Sequence, residues 1–100
     1  MALEQDLRVV DNPEASRYEL RQGATLAGVI EYRPDPGAVV LLHTEIDPAF
    51  EGQGLGGRLV AGALADLRAG GRKLVPQCPF VRSYLRRHPE DADLVADARP

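Results

Sequence analysis

The sequence predicts an α+β fold with a mixed, mostly antiparallel sheet and two main helices. Two observations carry this prediction. Residues 7–46 show strand patterns separated by turns, and residues 38–75 read as a strand, a glycine turn, an amphipathic helix and a strand. The second arrangement is a βαβ crossover, so its two strands should be parallel, whereas strands joined by tight turns should be antiparallel. One hundred residues suit one domain, which we expect to span residues 1–100.

The first strands follow from alternation and turn chemistry. Residues 7–10 form a short apolar run, and charged and apolar residues alternate over 17–21, which is typical of a half-buried strand. The Gln22-Gly23 pair predicts a hairpin turn into a strand over residues 25–32. Two prolines and a glycine within residues 33–37 predict a loop. Residues 38–46 are almost continuously apolar, so we place this strand centrally in the sheet.

Two helices follow. Apolar residues at 55, 59, 60, 63, 64 and 67 have helical spacing, and Gly70-Gly71 ends that helix. A short strand is expected over residues 73–75. Pro79 suits the first position of a second helix that ends near His88, before Pro89. Its predicted buried side chains are Phe80, Val81, Tyr84 and Leu85.

The turn between the apolar strand and the first helix contains four glycines, at positions 52, 54, 56 and 57. Without Cβ atoms, several N–H groups can approach a ligand, and the helix adds its own unpaired N–H groups and positive dipole end. This combination favours a phosphate. Arg58-Leu59 follows Gly56-Gly57, so the Lys and Ser or Thr of a Walker A loop are missing. A dinucleotide fingerprint would belong to the first βαβ unit, not to the middle of the chain.

Together these features resemble the GCN5-related N-acetyltransferase superfamily, whose loop reads Arg or Gln, two residues, Gly, one residue, then Gly or Ala. The segment 51–56 fits except at Glu51, which places a negative charge beside the phosphate site. More specifically, the chain is similar to small single-domain proteins of the YjdJ type. Three further segments carry that likeness: His43-Thr44-Glu45, the run 76–80, and His88-Pro89-Glu90 with Asp93-Leu94-Val95.

The resemblance implies an acetyl-CoA-dependent transfer of an acetyl group to a primary amine, either a protein lysine or N-terminus or a small amine. It also implies that the central strands splay apart and that the pantetheine arm enters the gap. The cofactor-binding residues are then expected along the strand end and the glycine turn: Glu45, Ile46, Gln53, Gly54, Leu55, Gly56, Gly57 and Arg58.

Cys78 and His43 are the expected catalytic residues. Cys78 follows a strand and precedes a helix, where the helix dipole and Arg82 one turn away would favour the thiolate. It is interpreted as a nucleophile or as a wall of the thioester site, and alternatively as a small buried filler. His43 shares a strand face with Glu45 and could act as a general base, or could be packed and hydrogen-bonded. No metal site is expected, since neither histidine has a second partner at ligand spacing.

Charge and composition limit the remaining classes. Residues 1–51 hold four basic and ten acidic side chains, whereas residues 52–89 hold seven and one. The basic segment therefore begins at the glycine turn, and the net charge of −3 disfavours nucleic acid as a partner. A single cysteine suits the reducing cytoplasm, and the lack of a long apolar run disfavours membrane contact. We also expect a monomer or a weak dimer. Two alternatives stay open: a non-catalytic CoA-binding or protein-interaction module, and a plain nucleotide-binding protein.

Overall fold

The structure is a computed structural model that describes residues 6–96. One five-stranded sheet with the order β1-β2-β3-β4-β5 carries two helices on one face. The elements are β1 (Leu7–Asn12), β2 (Arg17–Gln22), β3 (Thr25–Asp35), β4 (Ala38–Ile46), α1 (Leu55–Ala69), β5 (Lys73–Pro76) and α2 (Pro79–Arg87). Short 3₁₀ helices cover Pro48–Phe50 and Pro89–Leu94. Strands β1 to β4 pair antiparallel and β4 pairs parallel with β5, so the predicted fold class and crossover are confirmed.

The core lies between the sheet and α1. The six apolar positions that predict this helix are all buried: Leu55, Leu59, Val60, Ala63, Leu64 and Leu67. They meet the inward-facing side chains of the strands, among them Tyr18, Ile30 and Leu41. Burying each large apolar side chain of this kind contributes about 1.5–3 kcal/mol. This packing fixes where α1 begins relative to the end of β4.

Three details differ from the predictions. Residues 33–35 continue β3 instead of forming a loop, because they pair with residues 38–40 of β4, and the turn is confined to two residues with Gly37 at φ 78°. Strand β4 is fourth of five, and β3 occupies the centre. Phe80 was expected to be buried but is 39 % exposed. Its ring lies against Gly56 in the first turn of α1. No helix within the described residues is long and apolar enough to cross a membrane.

Candidate active site

Strands β4 and β5 part after Leu41. The parallel ladder covers only residues 38–41 of β4, and it closes where the carbonyl of Leu41 accepts the N–H groups of Gln77 at 3.1 Å and Cys78 at 2.9 Å. The chain then turns into α2. Residues 43–46 of β4 therefore pair with β3 on one side, and on the other side they face the gap where β5 would continue. We call this gap the fork.

A bulge at Leu42 sets which main-chain groups face the fork. In the β3–β4 register His43 opposes Glu31 and Leu41 opposes Tyr32, so Leu42 has no partner. Further along, the N–H of Asp47 donates to the carbonyl of Ala27 at 2.8 Å. Hydrogen-bonded and non-hydrogen-bonded pairs alternate in an antiparallel ladder.

Counting back from Asp47 gives the direction of each residue. The main-chain N–H and C=O groups of Glu45 point to β3, whereas those of Thr44 and Ile46 point into the fork. Of the two strand residues predicted to bind the pantetheine arm, Ile46 thus offers main-chain groups to the gap and Glu45 does not. The fork can accept an extended amide-bearing chain as an added strand.

The glycine turn connects the end of β4 to α1. Asp47 caps the 3₁₀ helix Pro48–Phe50 by accepting the N–H of Ala49 at 2.9 Å. Gly52 and Gly54 then adopt left-handed conformations, with φ of 83° and 72°, and Gly54 is the N-cap of α1. Side chains with a Cβ are disfavoured there by about 1–2 kcal/mol. The first turn of α1 thus begins with main-chain N–H groups that have no partner within the helix.

An open cavity of about 480 Å³ lies over this turn. Its lining comes from the end of β4, the glycine turn, α1 and α2: Ile46, Phe50, Glu51, Gly52, Gly54, Leu55, Gly56, Gly57, Phe80 and Arg87. A Cβ atom added at Gly57 would meet nothing within 4 Å, so it would point into open space. The turn therefore leaves room for a ligand to approach the backbone. Gln53 and Arg58, both predicted to bind the cofactor, are exposed and lie outside this lining.

Cys78 lies at the apex of the fork. It is 2 % exposed, and its Sγ lies 3.2 Å from Oγ1 of Thr44 on β4. It is the N-cap of α2, as expected from the sequence. Arg82 does not face the thiol, because its Nη1 donates to the carbonyls of Pro76 at 3.2 Å and Gln77 at 2.9 Å. The expected arginine contact is thus replaced by a threonine hydroxyl.

His43 and Glu45 share a face, as predicted, but that face is opposite to the one with Cys78. Thr44, which touches the thiol, alternates with both of them along β4. The His43 side chain is 58 % exposed, so the interpretation of His43 as a packed histidine is wrong, and its Nε2 lies 3.8 Å from Oε1 of Glu45. The structure therefore does not bring His43 and Cys78 together on one face. His88 is the C-cap of α2, and its Nδ1 lies 2.8 Å from the Tyr84 carbonyl.

Sequence reasoning missed Thr44, Phe80 and Arg87 as site residues. Phe80 and Arg87 are seven residues apart, a spacing that places both side chains on one face of α2. That spacing was available in the sequence. Thr44 gave no such signal, since its contact with Cys78 spans 34 residues of chain.

Comparisons with known proteins identify the family and the fold. A family model described as GCN5-related N-acetyl-transferase matches residues 17–94. The fold is also similar to the solution NMR structure of a GCN5-like candidate N-acetyltransferase from Staphylococcus aureus, with a TM-score of 0.68 and 19 % identity, covering 94 % of this chain and 92 % of that one. No match was found among curated proteins. On the family match over residues 17–94, the chain belongs to the GCN5-related N-acetyltransferase family.

Proposed function

We propose that this protein is an acetyl-CoA-dependent N-acetyltransferase that acts on a primary amine. The observation that carries the proposal is the continuity of two features: the open edge of β4 at the fork runs directly into the glycine turn and its cavity. A thioester cofactor with a long amide-bearing arm and a pyrophosphate needs both, in this order. An edge of main-chain groups can bind the arm, and N–H groups at a helix start can bind the phosphates.

The residues fit such a ligand. Thr44 and Ile46 would hold the arm through main-chain groups, and the N–H groups from Gly54 to Gly57 would hold the pyrophosphate. Gly57 supports this assignment, since its missing Cβ leaves the backbone accessible from the cavity. The bound cofactor supplies an activated acetyl group, and the protein must place it beside the amine. Cys78, at the apex of the fork, is the side chain we place nearest to the thioester.

We assign removal of the proton from the acceptor amine to the face of β4 that is opposite to Cys78. An amine is protonated at neutral pH and must lose a proton before it attacks a carbonyl. Histidine is the side chain most often used as a general base near neutral pH, and Nε2 of His43 lies 3.8 Å from Oε1 of Glu45. Both side chains are exposed, so they are accessible to an acceptor that approaches from the solvent side. We propose His43 as the base on these grounds.

The test is calorimetric titration with acetyl-CoA, with free CoA and ATP as comparisons. We expect saturable one-to-one binding that prefers the two CoA species. Equal or tighter binding of ATP would favour a general nucleotide-binding protein, and no binding at millimolar ligand would refute the cofactor assignment.

Cys78→Ala then separates two catalytic routes in an acetylation assay against a panel of amines. If Cys78 receives the acetyl group, the variant should bind acetyl-CoA normally and lose most turnover. Unchanged turnover would exclude the covalent route and leave direct transfer. A wild-type protein that binds CoA but acetylates none of a broad amine panel would instead be a non-catalytic CoA-binding module.

A further inference from the structure

Arg87 is the last residue of α2, and its side chain lines the cavity over the glycine turn. We propose that Arg87 is a phosphate-binding residue of this site and that it offsets the negative charge of Glu51, which lines the same cavity. The inference rests on the proposed function for the identity of the natural ligand. Binding by Arg87 requires only that the ligand place a phosphate or pyrophosphate group in the cavity.

Phe80 places the start of α2 beside the first turn of α1. Gly56 lies in the first turn of α1, and a Cβ built there would be 2.7 Å from Cζ of Phe80. The aromatic ring therefore lies directly against the backbone of that turn. Arg87 is seven residues after Phe80, two turns along the same face of α2. Its Nη1 donates to Oγ of Ser83 at 3.0 Å, which directs the guanidinium along this face.

A phosphate group in this cavity would need a cation beside it. Glu51 lines it, in the loop position where the family pattern has Arg or Gln, and a carboxylate beside a polyphosphate is repulsive. Among the described residues that line the cavity, Arg87 is the one basic side chain. No carboxylate within residues 6–96 forms a salt bridge with it, so its charge is not already neutralised.

The other arginines of α2 are directed elsewhere. Arg82 donates to two backbone carbonyls, and Arg86 lines a separate hollow with Pro76 and Leu85. Arg86 is thus a matched control, because it has the same charge, lies next to Arg87 on the same helix and is also exposed. An arginine that binds phosphate through two N–H groups contributes more than a remote surface charge, since it adds directed hydrogen bonds to the Coulomb attraction.

The experiment compares Arg87→Gln with Arg86→Gln. Each variant is titrated with CoA by calorimetry and with inorganic pyrophosphate by NMR, where the amide signals of Gly54, Gly56 and Gly57 report on the turn. We expect Arg87→Gln to weaken both ligands about tenfold and Arg86→Gln to weaken them less than twofold. Glu51→Gln should tighten both ligands several-fold, because it removes the repulsive charge. Thermal unfolding of all three variants should match the wild type, since the substituted side chains are exposed.

The outcomes separate this inference from the proposed function. If the wild type binds CoA but the two arginine variants weaken it equally, or Arg87→Gln by less than twofold, the inference is overturned and the cofactor assignment stands. If pyrophosphate shifts the glycine signals in an Arg87-dependent way while CoA species are not preferred, the inference stands and the cofactor assignment fails. If neither ligand binds the wild type, both are overturned.

Discussion

Replacing Gly57 by alanine separates the ligand-binding role of the glycine turn from its folding role. Gly57 is the third residue of α1, so it has an ordinary helical backbone, unlike Gly52 and Gly54 with their positive φ. An added Cβ would meet no protein atom within 4 Å. The methyl group therefore introduces no clash in the folded protein, and it occupies space in the cavity beside a main-chain N–H.

The expected effects on stability and binding have opposite signs. Alanine is favoured over glycine in a helix by about 0.5–1 kcal/mol, and we take the lower value because Gly57 is in the first turn. For a domain of this size, about 0.5 kcal/mol raises Tm by about 2–4 °C. Loss of one charge-assisted hydrogen bond between an N–H and a phosphate costs about 1.5–3 kcal/mol, so CoA affinity should fall about 10- to 100-fold.

The other two glycines of α1 serve as controls for the same substitution. Gly62 would place a Cβ 2.6 Å from Cβ of Val9 on β1, so Gly62→Ala should be destabilising by about 1–3 kcal/mol while CoA binding by the folded protein is retained. Gly56→Ala should displace the Phe80 ring and affect both properties.

The assays for all three variants are thermal unfolding by circular dichroism and calorimetric titration with CoA. The reasoning fails if Gly57→Ala binds CoA as tightly as the wild type, because the cavity would then not be the phosphate site. It also fails if Gly57→Ala is destabilised as strongly as Gly62→Ala, because the space at Gly57 would then not be open.

Two further predictions concern stability. Glu19 is almost fully buried, and hydrogen bonds from Asn12, Arg17 and Arg21 at 2.8–2.9 Å lower its pKa to about 2. A lowered pKa means that this stabilisation is complete above the unfolded-state pKa near 4.5 and is lost as pH falls towards 2. Glu19→Gln should cost about 1–3 kcal/mol at pH 7 and flatten the pH dependence of urea unfolding in that range, whereas an unchanged profile would contradict the assignment. The Tyr18 hydroxyl donates to Asp66 on α1 at 2.8 Å, and burial followed by this carboxylate raises its pKa. Tyr18→Phe should therefore cost about 1 kcal/mol at neutral pH, and the variant should lose less stability than the wild type above pH ~10. If the variant loses stability as steeply as the wild type above that pH, the loss comes from other groups.

The parts of the fold that the sequence predicts are those set by local pattern. The helical spacing of six apolar residues identified the buried face of α1, and the glycine content after residue 51 identified the turn that precedes it. The parallel pairing of β4 with β5 followed from the crossover rule. Alternation also placed His43 and Glu45 on one face correctly. The helical spacing, the glycine content and the alternation each lie within one element, and the crossover rule needs only the order of consecutive elements.

The parts that the sequence did not predict depend on pairing between distant residues. The bulge at Leu42 is a property of the β3–β4 register, and such a bulge changes which side chains share a face on either side of it. This is why His43 and Cys78, both reasonable candidates alone, lie on opposite faces. The continuation of β3 through residue 35 likewise depends on its partner strand, which overrides the loop preference of Pro34, whereas Pro36 and Gly37 still form the turn.

The fork also gives a structural reason for the polar side chains around it. The main-chain groups of Thr44 and Ile46 form a free edge, and a free edge invites pairing with another chain unless charged side chains or a covering element prevent it. His43 and Glu45 project from this same half of β4, and their exposed polar side chains leave the edge accessible to an extended ligand but unsuited to a flat second strand. A protection role for His43 and Glu45 would require only charge and exposure. Catalysis requires in addition that His43 reach the amine beside the thioester. A neutral substitution of His43 that slows acetyl transfer without promoting self-association would therefore assign His43 a role in the transfer.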